Sequence, residues 1–169
     1  MWMVKNNFEK DKIRYGEHGK MPKFQIYLRK YQMAKGRGSR LICKFLFAYY
    51  RRRNLVDMSI ETSIGGGLYV GHPYGITINP QGENCNIHKG VTIGQENRGK
   101  RKGTPVIGDE VWIGINATIV GKISIGSDVL IAPNTFVNKD IPDHSVVFGN
   151  PCVIIPNTKA TEEYICNKA

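Results

Sequence analysis

Two histidines, His72 and His88, have the side chains best suited to proton transfer, because the ordinary pKa of imidazole lies near neutrality. A base of that strength can take the proton from a hydroxyl group and so make the oxygen a nucleophile. The four cysteines form no C-x-x-C pair and show no metal-ligand spacing, and no cysteine or serine stands in a pattern that indicates a covalent nucleophile. These residues favour general-base chemistry and indicate no metal site.

The element that must position the histidines is a six-residue repeat. Residues 107–142 read IGDEVW, IGINAT, IVGKIS, IGSDVL, IAPNTF and VNKDIP, with an aliphatic residue first each time. A period of six fits neither the 3.6-residue helix nor the two-residue alternation of an exposed strand. It is typical of a mainly β fold, the parallel β-helix, in which each hexad forms one side of a coil. We predict that the repeat starts at Met58 and that the segment ITINP, starting at Ile76, is a hexad one residue short.

Three hexads would complete one coil, so hexads three apart should stack on the same side. One predicted column starts at Val70, Ile87, Ile113 and Ile131, with rungs about 4.8 Å apart. It would place His72 and His88 one rung apart at neighbouring positions. The rest of this face is small or flat: Gly114, Ile115, Ala132 and Pro133. Such a face suits a long, thin ligand beside a base.

Fourteen residues separate Ile93 from Ile107, so a segment at about 95–106 must leave the stack as a loop. Four positive charges lie within five residues there: Arg98, Lys100, Arg101 and Lys102. The loop is either simply solvated or faces an anionic ligand.

Basic residues are concentrated before the repeat. Residues 1–56 contain fifteen lysines and arginines against three acidic residues, whereas residues 57–169 contain nine against eleven. We expect residues 1–20 to be irregular, a helix after Pro22, and a second helix from a Ser39 N-cap to Arg53. These helices would either close the end of the coil stack, or rest on an anionic membrane face or gather an anionic acceptor. No recognised motif indicates nucleic-acid binding.

Three segments are predicted: a basic, partly helical segment at 1–56, a β-helix at 57–156 and a polar tail at 157–169, helical or disordered. Residues 1–12 are polar and charged, and no apolar run is long enough to span a bilayer. We therefore expect no secretory signal and a reduced, cytoplasmic setting.

The segment VDMSIETSIGGGLYVGHPYGITI resembles the serine acetyltransferase branch of the hexapeptide-repeat acyltransferases, whose coils are left-handed. In that family an aspartate precedes the catalytic histidine by fifteen residues and x-x-G-I follows it, a pattern matched by Asp57, His72 and residues 73–76. The resemblance covers about residues 55–155. The segments GHPYGITINP and HKGVTIGQENRGKRKG are still more similar to short O-acetyltransferases of bacterial surface polysaccharides.

The resemblance implies acetyl-CoA as the donor, a homotrimer with active sites between subunits, and no acyl-enzyme intermediate. His72 would be the general base and Asp57 would orient its imidazole, as a carboxylate does in other enzymes. The implied acceptor residues are His88, Tyr74 and Thr104. The implied cofactor-binding residues are Gly94, Arg98, Lys100, Arg101, Gly114, Ile115, Ala132, Pro133, Lys139 and Asn150.

Three features depart from serine acetyltransferases. Where those enzymes have an acidic residue before the catalytic histidine, this sequence has Gly71. Where they have Arg-His before the proline that re-enters the stack, it has Gly103 and Thr104. Residues 1–54 are too short for the family's N-terminal domain. The groups that would hold an amino acid are missing, and losing partners for charged groups is costly. We therefore predict a sugar hydroxyl of a surface polysaccharide as the acceptor.

Three alternatives stay open. The first is serine O-acetylation. The second is a γ-class carbonic anhydrase, which needs three zinc-binding histidines. The third is a β-helix scaffold without catalytic activity.

Overall fold

The computed structural model describes residues 6–79 and 81–169; residues 1–5 of the basic segment and Pro80 of the short hexad lie outside it. Helices come first: α1 (Asn7–Tyr15), α2 (Lys23–Met33) and α3 (Arg37–Arg53). The strands of the first coils are β1 (Val56–Asp57), β2 (Tyr69–Gly71), β3 (Ile76–Thr77), β4 (Asn86–His88), β5 (Thr92–Gly94) and β6 (Val106–Ile107). The later strands are β7 (Val111–Ile113), β8 (Thr118–Val120), β9 (Ser124–Ile125), β10 (Val129–Ile131), β11 (Phe136–Val137), β12 (Ser145–Phe148) and β13 (Val153–Pro156).

The strands form a three-sided parallel coil, which confirms the predicted β-helix. One side, which we call the six-stranded side, has the order β13-β12-β10-β7-β4-β2, with only β12 and β13 antiparallel. The five-stranded side has the order β1-β3-β5-β8-β11. The third side consists of β6 and β9, extended by single bridges at Ile64, Gln81 and Ile141.

The predicted column is confirmed residue by residue. Val70 pairs with Ile87, Ile87 with Ile113, and Ile113 with Ile131, and Val147 adds a further rung. The five side chains point inward and are almost completely buried. Burial of an aliphatic side chain contributes about 1.5–3 kcal/mol, so the column is a main source of stability.

The prediction that a hexad starts at Ile76 is wrong. Thr77 pairs with Thr92 and with Asp57, so Ile78, rather than Ile76, is level with Ile93 and Met58. Eight residues therefore separate Val70 from Ile78, whereas six separate Ile87 from Ile93. Two extra residues must leave the coil at the corner between them.

The N-terminal segment is more regular than predicted. Residues 7–15 are helical, and Asn6 and Glu9 form a reciprocal capping box in which each side chain accepts from the other's backbone N–H. The helix after Pro22 is present as α2. The last predicted helix is α3, but its N-cap is Gly36, because the Ser39 hydroxyl donates to the Gly36 carbonyl instead. Nowhere in the described segments is a helix both long enough and apolar enough to cross a bilayer.

The helices close the first end of the coil stack. Phe24 and Leu28 of α2 and Phe47 of α3 join the aliphatic core. Beside them lies a buried ion pair, in which Arg29 donates to Asp11 at 2.8 Å and also to the carbonyl oxygens of residues 64 and 65. The Asp11 carboxylate in turn accepts from the Leu68 N–H. Both charges are therefore hydrogen-bonded to the first coil, as buried charges must be.

The polar tail has a defined course along the six-stranded side. Asp128 accepts from the backbone and hydroxyl of Thr161, and the Tyr164 ring lies against Trp112, with 5.1 Å between centroids. At the end of the chain, the Ala169 N–H donates to Asn84. The tail is thus neither the short helix nor the disordered segment that its composition suggested.

Gln81 interrupts an otherwise aliphatic column on the third side. It lies between Ile64 and Ile107, is only 7% exposed, and both polar atoms of its amide lack a partner among the described residues. We expect Gln81→Leu to raise stability by about 1–3 kcal/mol, the cost of an unsatisfied buried polar group. For a chain of this size that is about 2–4 °C in Tm per kcal/mol, measurable by thermal unfolding.

The reverse change, Ile107→Gln, is the control and should lower Tm, because it adds an unpaired amide one rung away. A Tm of Gln81→Leu at or below that of the unchanged protein would show that the amide has a partner.

Candidate functional site

The corner between the six-stranded and five-stranded sides carries most of the predicted site, and we call it the histidine edge (residues 71–75, 88–90, 114–116, 132–134 and 148–150). Backbone hydrogen bonds hold its rungs in register. The Gly90 N–H donates to Tyr74 O at 3.1 Å, and the Asn134 N–H donates to Ile115 O at 2.9 Å. The Asn116 N–H likewise donates to Lys89 O at 3.0 Å, so Tyr74, Lys89, Ile115 and Pro133 occupy equivalent corner positions on successive coils.

This register identifies the two extra residues as His72 and Pro73. Gly71 pairs with His88 and is a regular position, and Tyr74 and Gly75 are regular again, Gly75 with a positive φ of 66°. Between them His72 has a φ of 51°, in the left-handed region where histidine is among the tolerated residues. Its side chain is exposed and makes no hydrogen bond within the described residues. The imidazole is thus displaced from the coil and free to act on a ligand.

Asp57 lies on the outer surface of the five-stranded side, level with Thr77. Its side chain is 80% exposed, and its carboxylate is 3.4 Å from Arg51 Nη1. It forms no hydrogen bond with His72 in the part of the chain that the structure describes. The pairing of these two residues stays a prediction.

His88 is a half-buried residue whose ring covers Gly71. A Cβ added at Gly71 would lie 2.8 Å from His88 Cδ2, so only glycine leaves room for this ring. His88 Nδ1 is 2.9 Å from Ile113 O. Because a carbonyl only accepts, we assign the proton to Nδ1, which leaves Nε2 as an acceptor in the neutral ring.

Burial lowers the pKa of His88, the hydrogen bond to Ile113 partly opposes this, and the nearby His72 lowers the pKa further. At any given pH near neutrality His88 therefore carries a charge less often than an unperturbed histidine does. Its Nε2 can accept a hydrogen bond from a ligand hydroxyl while the ring stays uncharged beside His72.

The predicted cofactor residues fall on two edges of the chain. Gly114, Ile115, Ala132, Pro133 and Asn150 lie on the histidine edge. We call the corner where the five-stranded side meets the third side the loop edge. Gly94, Lys139 and the basic loop lie there, as does Thr104. Within one chain the structure does not bring the two groups together. Of the predicted acceptor residues, His88 and Tyr74 lie near His72 and Thr104 does not.

The predicted loop leaves the stack after Gly94 and returns at Val106. Its base is a pair of antiparallel backbone hydrogen bonds between Glu96 and Gly103, of 3.0 and 2.9 Å. Arg101 is paired with Glu96 at 3.1 Å, whereas Arg98 and Lys100 are exposed and form no ion pair within the described residues. Lys102 is also exposed and has no ion pair in the described segments, so three of the four predicted cations are available to an anion.

An aromatic pocket beside His88 is the feature that sequence reasoning missed. Its walls include Tyr15 of α1, Tyr69, Trp112 and Tyr164 of the tail. Tyr69 and Trp112 occupy the same position on two coils of the six-stranded side, with Asn86 on the rung between them, and counting residues could have found this alignment. Nothing local in the sequence places Tyr15 or Tyr164 beside them.

Other reactive groups offer no second centre. Burial raises the pKa of the Cys85 thiol to about 12, so it is protonated at neutral pH. His144 Nδ1 is 2.9 Å from the Asp128 carboxylate that holds the tail, which is a structural role. Residues 6–79 and 81–169 contain no group of three or more metal-binding side chains close enough to hold an ion.

Comparison with known proteins agrees with this geometry. Residues 104–139 match the family model described as bacterial transferase hexapeptide (six repeats). The chain is 34% identical over 122 residues to the serine acetyltransferase of Mycobacterium tuberculosis, an alignment that covers 70% of this chain and 53% of that protein. The repeat in residues 104–139 is therefore that of the bacterial hexapeptide transferases. The chain spans about half the length of this curated relative.

Solved structures show the same fold. The serine acetyltransferase of Neisseria gonorrhoeae superposes with a TM-score of 0.62 and 32% identity, covering 79% of this chain and 53% of that one. Its complex with serine gives 0.66 and 28%, covering 88% of this chain and 67% of that one. The match extends to the left-handed β-helix of these enzymes, which confirms the expected hand of the coil.

The contact between Gly71 and His88 can be tested by a double-mutant cycle. Gly71→Ala should destabilise the protein by about 1–3 kcal/mol, because the new Cβ displaces the His88 ring. In a His88→Ala background the same change should cost much less, since the clash is gone. Unfolding by urea measures all four free energies.

Gly38→Ala in α3 is a matched control, because a Cβ there meets nothing within 4 Å. It should leave stability unchanged or raise it by about 0.5–1 kcal/mol. Equal costs of Gly71→Ala in both backgrounds would contradict the contact.

Proposed function

We propose that the chain is an acetyl-CoA-dependent O-acetyltransferase in which His72 is the general base. The observation that carries the proposal is the pair of extra residues at the histidine edge. They expose an unengaged imidazole at one end of a face made of Gly114, Ile115, Ala132 and Pro133. A flat face of that kind can seat the extended pantetheine arm of the cofactor.

The reaction follows from this arrangement. An acceptor hydroxyl within hydrogen-bond reach of His72 would give its proton to the imidazole while its oxygen attacks the thioester carbonyl carbon. Backbone N–H groups would stabilise the oxyanion of the tetrahedral intermediate. The C–S bond then breaks, and the imidazolium returns the proton to the CoA sulfur. Asp57 would orient the ring once its carboxylate turns from Arg51.

The two-edge distribution of the cofactor residues supports a homotrimer. Two copies packed side by side would place the histidine edge of one against the loop edge of its neighbour. Arg98 and Lys100 of the loop would then meet phosphate groups of a cofactor whose thioester lies at His72. Each active site would be shared by two subunits.

L-serine is the acceptor that the relatives support, since both the curated and the solved ones are named serine acetyltransferases. A sugar hydroxyl is a second candidate, and a specific observation favours it. At Gly71 this chain lacks an acidic side chain, and the space above it is filled by His88. An aromatic pocket, with no carboxylate among its described lining residues, continues from there.

Acetyl transfer can be tested directly by detecting the free thiol of CoA with L-serine, simple sugars and nucleotide-sugars as acceptors. With whichever acceptor is consumed, His72→Ala should lower kcat/KM by about 10²–10⁴-fold, the usual contribution of a general base. His18→Ala, an exposed histidine outside the repeat, should have no effect. Full activity of His72→Ala would disprove the assignment.

Helix α3 supports a location at the cytoplasmic face of an anionic membrane. Its seventeen residues include six basic and no acidic side chains. Its exposed apolar residues recur at helical spacing: Leu41 and Phe45, 70% and 72% exposed, followed by Tyr49. An amphipathic, basic helix of this kind binds in the headgroup region, whereas a second copy of α3 would bring like charges together.

We expect the protein to sediment with vesicles that contain phosphatidylserine and not with phosphatidylcholine alone, since each basic residue near the surface contributes about 1 kcal/mol. Phe45→Ser should reduce the partition coefficient about tenfold or more, through loss of about 1.5–3 kcal/mol of apolar burial. Val106→Ser, which alters an exposed valine of the third side, is the matched control. Equal binding to vesicles with and without phosphatidylserine would contradict this location. Self-association through α3 would also contradict it.

A further inference from the structure

A pocket of about 380 Å³ opens on the six-stranded side between α1 and the C-terminal tail. Five rings line it in series. The centroid distances are 4.9 Å from Tyr15 to Tyr69, 6.4 Å from Tyr69 to His88, 4.6 Å from His88 to Trp112 and 5.1 Å from Trp112 to Tyr164. A concave, mostly aromatic surface with a few polar groups is the usual form of a small-molecule site.

The pocket also contains a buried cation. The Arg14 guanidinium donates to three neutral oxygens: Gly67 O at 3.1 Å, Cys166 O and Asn86 Oδ1. Two of its five N–H groups remain, and no carboxylate bonds to it in the described residues. Glu110, a carboxylate whose charge acts on Arg14, is itself paired with Lys168. Arg14 is 5% exposed, so its charge is poorly solvated and lacks a counter-ion.

His88 connects the pocket to the proposed catalytic base. Its ring forms part of the pocket wall and also covers Gly71, the residue directly before His72. A ligand that contacts His88 in the pocket would therefore have one end beside Gly71 and close to His72. The tyrosine hydroxyl of residue 69 and the indole N–H of Trp112 have no hydrogen-bond partner among the described residues, so they can bond to such a ligand.

We propose that this pocket binds the acceptor and that the acceptor is a pyranose sugar carrying a negative charge, either a uronic acid or a sugar phosphate. The apolar faces of the sugar would stack on Tyr69 and Trp112, and its carboxylate or phosphate would pair with Arg14. A hydroxyl at the other end would reach His72. This inference rests on the proposed function and specifies its substrate class.

Binding can be measured without catalysis. The background variant Trp2→Phe leaves Trp112 as the only tryptophan, so its fluorescence reports on the pocket. Without acetyl-CoA, glucuronate or glucose 1-phosphate should change the fluorescence saturably, and glucose should bind about tenfold more weakly or worse, since a charged hydrogen bond contributes about 1.5–3 kcal/mol. Inorganic phosphate alone should also bind more weakly, because it does not use the rings.

Arg14 joins α1, the coil and the tail, so its removal would endanger folding, and the test variant is Tyr164→Ala instead. Tyr164 is half exposed and contributes one wall, so the variant should weaken binding of the charged sugar several-fold. Ile155→Ala, a change at a similarly exposed residue of β13, should not. No saturable signal, equal affinity for glucose, or equal affinity for phosphate alone would overturn the proposal.

The thiol-release assay separates this proposal from the proposed function. Acetylation of serine without any binding of charged sugars would refute the pocket assignment and leave the transferase standing. Binding of charged sugars without acetyl transfer to any acceptor would refute the transferase and leave the pocket as a binding site. Acetylation of a charged sugar that Tyr164→Ala slows through KM rather than kcat supports both.

Discussion

The inward-pointing aliphatic columns constrain everything else in this molecule. Each rung must place its Ile or Val level with the next, because the coil has no other continuous core. Residues in excess of the period cannot be absorbed within a side and must leave at a corner. This happens at two places, between Val70 and Ile78 and between Ile93 and Ile107. The first expels His72 and Pro73, and the second expels the basic loop, so the residues that bear chemistry are those the columns exclude.

A comparison of two histidines shows why the excess matters. His72 and His144 have nearly the same left-handed φ, 51° and 56°. His144 is a regular corner residue, with Asp128 one rung below it at the equivalent position, and its ring is bound to that carboxylate. His72 is an inserted residue, so no rung has an equivalent position to supply a partner. At a regular corner the neighbouring rung supplies a hydrogen-bond partner for the imidazole, whereas at the enlarged corner the imidazole has no such partner.

The period made the columns, the loop and the face beside His72 predictable, since these depend on counting residues. The short hexad was misplaced because VGHPYG also has six residues, and only strand pairing shows that Ile78 is the one in register. Helix α1 and the path of the tail depend on contacts between residues far apart in sequence, such as Asp11 with Leu68 and Asp128 with Thr161. Sequence periodicity carries no information about such contacts. The aromatic pocket, which lies between these two segments, was missed for the same reason.

The buried pair of Asp11 and Arg29 explains how a short N-terminal segment can hold one wall of that pocket. Removing two charges from water is costly, and one pair alone would barely compensate. Here the pair also bonds to the backbone of residues 64, 65 and 68, so its charges replace hydrogen bonds that the open end of the coil would otherwise make to water. Such a network has one geometry, and that geometry fixes the direction of α1. Arg14 lies one turn further along the same helix, so its cation is held over the six-stranded side by a contact made at the end of the stack.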